Sequence, residues 1–405
     1  MKSNNRDVTI KKIVDFIGEY SRTNPGYDPQ DLAASLAGEF RINGKTAEQL
    51  ALRIAQEVNG DFPLAALELN LTFNCNLACE YCFIHNKQGG ERMTLTTAQK
   101  AIDILFSNAG PSVNITFFGG EPLLEFDLIQ AIVPYVMANA RQLGKEVTWA
   151  ITTNGTLVTE EILQFFAQYN IYLLLSLDGG PETHDRYRRT KSGEGTWHKI
   201  AALLPLIGKY QGWIGARMTV STEALASMED DFAQLVDLGI NQFIIAPAQG
   251  AKQWSKEQVE QYGASMLKLM TSYRQLKQAG KNLYIEEFEK TEAAFTGWGC
   301  QAGFSSLAVA PDGAVSPCSK LLGLTAEQGK CIVGNVHSGL KQELLAPFRR
   351  PAPSQPLRCS QCVCKCHGGC YAVNYEQTGN HFIPAEENCL FWQVQQELGK
   401  TKPNI

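Results

Sequence analysis

Between about residue 64 and residue 290 the chain alternates short runs of strand character with longer amphipathic ones, and this alternation leaves few folds open. The strand-like runs are ALELNLT (66–72), VNITFF (113–118), VTWAITT (147–153), YLLLSLD (172–178), WIGARMTV (213–220) and QFIIAPA (242–248). Between them lie segments of helical period: TTAQKAIDILFSN, FDLIQAIVPYVMANARQLG, TEEILQFFAQYN, TWHKIAALLPLIGKY and MEDDFAQLVDLG. A long, charged helix is expected at about 255–279. Six strand–helix units in a row imply a parallel sheet, because parallel neighbours need a crossover long enough to hold a helix. Six units are too few to close an eight-stranded barrel. The expected fold class is therefore α/β, with a partial, open (β/α)6 TIM-like barrel over residues 63–290.

Two smaller regions flank this core. Residues 1–62 read as three short amphipathic helices, VTIKKIVDFIGEY, PQDLAASLAGEF and TAEQLALRIAQEV, with Thr46 able to cap the third. The stretch from Asn59 to Pro63 breaks the pattern and marks a boundary. From 291 to 405 periodicity weakens while Gly, Pro and Cys become dense, so short loops there are expected to be held mainly by metal clusters rather than by an apolar core. The net charge of −5, from 36 basic and 41 acidic residues, points to neither a nucleic-acid nor an anionic-membrane partner. The opening MKSNNRD leads into no apolar signal core, and the strongly apolar runs, such as 171–177, are too short to span a bilayer. A cytoplasmic location is expected.

Of the 12 cysteines, three fall between 75 and 82 and nine between 300 and 389. In a cytosolic chain such clusters mean metal binding more often than disulfides. Cys75-x3-Cys79-x2-Cys82 follows directly on the first strand. Three thiolates on one loop can hold three irons of a [4Fe–4S] cube, where conventional clusters take four cysteines, leaving the fourth iron open. Zinc is the alternative, with His85 as a fourth ligand.

The spacing, with Tyr81 at the aromatic position, resembles the C-x3-C-x-aromatic-C signature of the radical S-adenosylmethionine (radical SAM) superfamily. The resemblance implies that the free iron chelates S-adenosylmethionine, whose reductive cleavage releases a 5′-deoxyadenosyl radical that takes hydrogen from a substrate. Further motifs follow later strands. Gly119-Gly120-Glu121-Pro122 is similar to the family's GGEP, which holds the methionine amino group. Asn154 and Gly155 stand in a TNGT-like turn, and Ser176-Leu177-Asp178-Gly179, followed by His184-Asp185, resembles a cofactor-proximal segment of several relatives. Ligand sites of parallel barrels lie at these strand ends. Arg217, in mid-strand, either reaches the methionine carboxylate or pairs with a core acid.

The later cysteines resemble the SPASM extension of many radical SAM enzymes, which carries up to two auxiliary [4Fe–4S] clusters. By position, Cys300, Cys318 and Cys370 would hold the first, and Cys359, Cys362, Cys366 and Cys389 the second. The element running from Cys359 is shorter than the family's, so Cys364 competes with Cys366 as ligand. Cys331 is the candidate fourth ligand of the first cluster; otherwise one iron stays open to a substrate thiolate. His367 reads as a surface residue.

The resemblance, over about 64–390, implies hydrogen abstraction from a peptide or protein. A thioether-forming maturase of a cysteine-containing ribosomal peptide is expected. It would take a leader-bearing substrate, with residues 1–62 as a reduced recognition domain or an unrelated cap, and a flavodoxin- or ferredoxin-type electron donor. A carbon–carbon crosslinking enzyme, a sulfatase maturase and a non-catalytic zinc or redox adaptor are the competing readings. Ser319 stands where sulfatase-maturating relatives place an aspartate base, which counts against that assignment unless another carboxylate serves.

Overall fold

The computed structural model describes residues 12, 16, 19, 20, 23, 24, 29–40, 63–84, 91–250, 253–289, 300–349, 359, 362, 366 and 368–401. The expected third N-terminal helix with Thr46, most of the first, and His85, Cys364 and His367 lie outside the described residues. The chain divides into two compact units, Met1–Pro63 and Leu64–Ile405. In the first, the helix Pro29–Phe40 buries Leu32, Ala33 and Leu36 on one face, at the spacing its sequence predicts.

In the second unit all six expected strands form: β1 (Leu64–Thr72), β2 (Ala109–Gly119), β3 (Glu146–Thr153), β4 (Ile171–Ser176), β5 (Gly215–Val220) and β6 (Gln242–Pro247). They pair in parallel and in chain order, as an open TIM-like barrel requires. Alternate residues face outward into the core under the helices: Leu67, Leu69 and Leu71 on β1, Ile115 and Phe117 on β2, Trp149 and Ile151 on β3. The other set, including Glu68, Asn70, Ser176 and Arg217, faces the interior. Side-chain caps start several helices: Thr94 accepts from Thr97 N, Thr159 from Ile162 N, and Ser255 forms a capping box with Gln258. The expected helix over 196–210 is two, Trp197–Ala201 and Leu204–Tyr210, with a proline in the first turn of the second.

Two features depart from the sequence reading. The segment Pro122–Gln142 is, by length and composition, apolar enough to cross a bilayer (21 residues, mean hydropathy 1.2), contrary to expectation. Its apolarity has a local cause: Leu128, Ile129, Ile132, Val133 and Val136 are buried against the sheet.

The second departure concerns the C-terminal part, which extends the same sheet. A two-residue strand, β7 (Tyr284–Ile285), pairs in parallel with β6 at one edge. At the other edge β8 (Ser306–Val309) lies parallel to β1, and β9 (Ala314–Ser316), β10 (Gly334–Asn335) and β11 (Gly339–Leu340) follow antiparallel. Leu307, Val309, Leu321, Leu345 and Phe348 join the barrel's own core. Phe348, Tyr371 and Phe382 pack edge to face with centroids 4.9–5.5 Å apart. The expectation that metal clusters replace an apolar core here is therefore corrected: strands of two to four residues are too short to show a period, but they dock on a core already built.

Asn374, fully buried in the helix Tyr371–Thr378, ties this region together. Its Nδ2 donates to Gly368 O and His381 O, and its Oδ1 accepts from Ala385 N and Asn388 Nδ2. Replacing Asn374 with Leu strands two donors and two acceptors. We expect a loss of at least about 2 kcal/mol, since each buried unpaired group costs about 1–3 kcal/mol, read as a lower urea midpoint.

Candidate active site

The loop after β1 carries Cys75, buried, with Cys79 and Cys82 partly buried, and neighbouring strand ends hold it in place. From the β2 end, Gly120 N donates to Thr72 O and Glu121 N to Asn74 O, each at 2.8 Å. A Cβ on Gly119 would stand 2.3 Å from Thr72 O, and one on Gly120 2.1 Å from Asn74 O, so only glycine permits this approach. The backbone these two glycines approach is that of the cysteine loop itself.

From the β3 end, Asn154 Nδ2 contacts Cys75 Sγ at 3.9 Å and donates to Asn76 Oδ1 at 2.9 Å, while Asn76 Nδ2 donates to Thr156 Oγ1 at 2.7 Å. Leu77 N also points at Cys75 Sγ, at 3.4 Å. Glu121 joins the two strand ends: its carboxylate accepts from Thr153 Oγ1 (2.6 Å), Asn154 N (2.8 Å) and Leu123 N (3.1 Å). Burial pushes that carboxyl up to about 7 against the pull of these donors.

A third element holds the loop from the far side. Asp178, fully buried after β4, accepts from Arg188 Nε (2.8 Å), Arg188 Nη2 (3.1 Å) and Thr219 N (3.0 Å), and also from the Tyr81 hydroxyl. The Arg188 guanidinium lies 5.2 Å from the centre of the Tyr81 ring. Asp178 remains ionised at unusually low pH: burial opposes the charge, but the Arg188 cation outweighs it. Ser176 and Arg217 are register partners on β4 and β5, so two of the expected cofactor contacts stand side by side facing the interior. Both alternatives for Arg217 persist, since Glu287, a partly buried acid, feels its charge. An open cavity of about 100 Å³ adjoins the loop, lined by Tyr81, Tyr187, Ser221, Glu223 and Trp254 among others.

Cys300 precedes β8, Cys318 caps the helix Ser319–Gly323 and Cys370 precedes the helix Tyr371–Thr378; Cys300 feels the charge of Cys370, and Cys318 that of both. Burial pushes the Cys300 thiol up to about 11, with Cys370 adding to the effect. Cys318 is raised well above the ordinary range by burial, then by Cys300 and Cys370. Cys331 is raised to about 11 by burial alone, with no contribution from another thiol. Cys362 N donates to Cys359 O (3.2 Å), and Cys366 is partly buried. Cys389 lies in the first turn of the helix Glu386–Thr401, whose Asn388 Nδ2 donates to Cys370 O (3.2 Å). Among the described residues no three His, Cys, Asp or Glu side chains converge on the point a single metal ion would occupy. An iron–sulfur cube asks less, since each thiolate grips its own iron. The donors aimed at Cys75 Sγ suit a thiolate ligand, so the loop fits such a cluster.

Sequence reasoning missed three participants: Arg188, Glu68 and Asn76. Arg188 is one of two adjacent arginines, and nothing local says which is buried. Glu68 and Asn76 acquire partners only through strand order.

Residues 69–220 match the model of the radical SAM superfamily, and the chain carries a radical SAM domain there. Enzymes of this family use a [4Fe–4S] cluster and S-adenosylmethionine. The chain is 33% identical over 174 residues to an uncharacterised protein of Methanocaldococcus jannaschii, covering 43% of this chain and 59% of that one. It is 31% identical over 146 residues to the cysteine-type anaerobic sulfatase-maturating enzyme of Clostridium novyi, covering 34% of this chain and 38% of that one. The matched stretches thus span less than two thirds of these two relatives. A longer match, 24% identical over 84% of this chain and 74% of the relative, is to the antilisterial bacteriocin subtilosin biosynthesis protein AlbA of Bacillus subtilis. Among solved structures, anSMEcpe with bound AdoMet and Kp18Cys peptide aligns with TM-score 0.70 at 18% identity, over 85% of this chain and all of that one. Streptococcus suis SuiB bound to its precursor peptide SuiA aligns with TM-score 0.58 at 18% identity, over 86% and 81%. These likenesses establish the fold.

His184 packs under this site, fully buried, with Nε2 3.0 Å from Thr196 Oγ1 and Nδ1 facing Asp178 N. Burial pushes its imidazole down to about 4 from 6.5. A folded-state pKa below the unfolded one means the unfolded chain binds the proton more readily, so stability present above pH 6.5 is lost as pH falls through 4. We expect this residue to contribute about 3 kcal/mol of acid loss between pH 7.5 and 4. A His184→Gln variant should show a correspondingly flatter dependence of its urea midpoint on pH.

Proposed function

We propose that this protein is a radical SAM maturase that joins a cysteine sulfur of a ribosomal peptide to a carbon of the same peptide. In this reading residues 63–290 are the catalytic core, 291–405 an auxiliary-cluster module and 1–62 a reduced leader-recognition region. Cys75, Cys79 and Cys82 would hold the catalytic cluster. Asn154, Ser176 and Arg217 would orient S-adenosylmethionine, and the cavity beside Tyr81 would take its adenosine. Bound there, the cluster and S-adenosylmethionine supply a radical that removes hydrogen from carbon, with electrons from a flavodoxin- or ferredoxin-type donor.

What supports the thioether reading is that Cys300, Cys318 and Cys370 are coupled by charge, whereas Cys331, among the described residues, feels no other thiol. Three thiols of one set leave a coordination position where a substrate thiolate fits, and iron is a natural partner for it. Cys359, Cys362, Cys366 and Cys389 would form the second set. That AlbA is a bacteriocin biosynthesis protein and SuiB binds a precursor peptide supports a peptide substrate.

A sulfatase-type activity is the second reading, and one contact favours it. Glu68, on β1, accepts from Ser319 N (3.1 Å) and Ser319 Oγ (2.6 Å), bringing a carboxylate to the position where Ser319 itself has none. In either reading Glu68 would take the proton that leaves the substrate thiol or hydroxyl. Next to it Asn70 is fully buried, with its Nδ2 on Val309 O and Ser319 Oγ.

Replacing Cys79 with Ala is expected to abolish cofactor cleavage, whereas Cys389→Ala keeps part of it and loses product. Cleavage at the full rate by the Cys79 variant would sink the cluster assignment. Anaerobic co-expression with a short cysteine-containing peptide encoded beside the gene, followed by intact mass, tests the reaction. Loss of two hydrogens per link, with a cysteine that no longer alkylates, marks a thioether; the same loss with a free cysteine marks a carbon–carbon bond. An unchanged peptide despite cofactor cleavage would redirect the search to sulfatases. Glu68→Gln should lower product formation by roughly a hundredfold or more, the usual yield of a positioned base, while cofactor cleavage continues.

A further inference from the structure

The cysteine loop has a partner strand that its sequence does not announce. Ala78 N donates to Arg189 O (2.8 Å) and Glu80 N to Tyr187 O (3.1 Å), and Leu77 bridges Thr190 in antiparallel sense. All three contacts share one register, and in that register the residue opposite Cys79 is Arg188. The bonds on either side make this the narrow, non-hydrogen-bonded kind of antiparallel pair, where facing Cα atoms stand about 4.5 Å apart and the side chains share a face. Arg188 is therefore the cross-strand neighbour of the middle cysteine.

Its side chain is not free to swing away. Arg188 is 8% exposed, bound through Nε and Nη2 to Asp178, and stacked at 5.2 Å on the Tyr81 ring. Tyr81 in turn donates to Asp178. The cation is thus clamped from its far side while its near side faces the loop.

We infer that Arg188 sets the reduction potential of the cluster held by the loop: a buried guanidinium fixed opposite Cys79 favours the reduced form, which carries one more negative charge. Net charge and hydrogen bonding around the sulfurs are the protein's means of adjusting such potentials. Asp178 and Tyr81 act through Arg188, as positioning residues. The inference rests on Cys75, Cys79 and Cys82 being cluster ligands.

The test compares three full-length proteins, reconstituted anaerobically: the wild type, Arg188→Lys, and the double variant Arg188→Gln with Asp178→Asn. The double variant removes both charges, so that neither is left buried alone. Two quantities are measured: iron content, and the reduced fraction at a series of fixed potentials. The latter is followed by the electron paramagnetic resonance signal that changes on adding S-adenosylmethionine. We expect all three to load iron and the lysine variant to titrate with the wild type. The double variant should show a reduced-to-oxidised ratio about tenfold lower at the same potential, about 59 mV for one electron. Full iron with an unchanged titration in the double variant would overturn the inference, and so would loss of iron from the double variant alone, which would make Arg188 a structural strap. Absence of iron from the wild type as well would instead refute the cluster reading on which the inference stands.

Discussion

Three cysteines on one short loop, Cys75, Cys79 and Cys82, leave it little apolar surface of its own to pack, and this constraint organises the strand ends around it. Leu77 and Ile84 are buried, but much of the loop's shape comes from outside. Backbone bonds from Gly120 and Glu121 fix its start, Asn154 and Asn76 its middle, and the Tyr187–Thr190 strap its far side. Each support belongs to a different crossover of the parallel sheet. The sheet order is therefore what makes the loop's conformation unique: removing one strand would remove one wall.

The supports are polar and buried, and their cost is met by saturation. Glu121 takes three donors and Asp178 four, drawn from several strand ends. Buried carboxylates left with fewer partners would destabilise the protein by more than the bonds gain. With full partners they act as rivets, joining β2 to β3 and β4 to β5. The rigidity of the site follows from this polar frame, and the leucine- and isoleucine-rich outer face supplies the bulk stability.

The sequence was legible where a period repeats. Strands of six or more residues and amphipathic helices show themselves through alternation, and β1 to β6 fall within a few residues of expectation. The cysteine loop stood out in the sequence because its C-x3-C-x2-C spacing is local. What could not be read had one cause: it depends on which strands become neighbours. β7 to β11 are too short to carry a pattern, and Arg188 looks like Arg189 until the register turns one toward Cys79. Glu68 reads as an ordinary charge in a strand, and only β8 docking beside β1 brings it to Ser319. The apolar segment Pro122–Gln142 shows the converse, since composition alone cannot tell a core helix from a bilayer span.

The seating of β8 against β1 has a temporal side. The bond from Asn70 to Val309 joins residues 239 apart in the chain. During synthesis the first strand leaves the ribosome long before the strand that covers its outer edge, and the six-stranded sheet can assemble with that edge bare. The thiols of Cys300 and Cys318 flank β8 and β9, so they reach their places only once this last edge closes. The loop of Cys75, Cys79 and Cys82 depends on it less: its hydrogen bonds come largely from residues before 221, while Gly323 packs later against Phe83 and Ile84. A nascent chain that has not yet added β8 would expose a long, unpaired parallel edge.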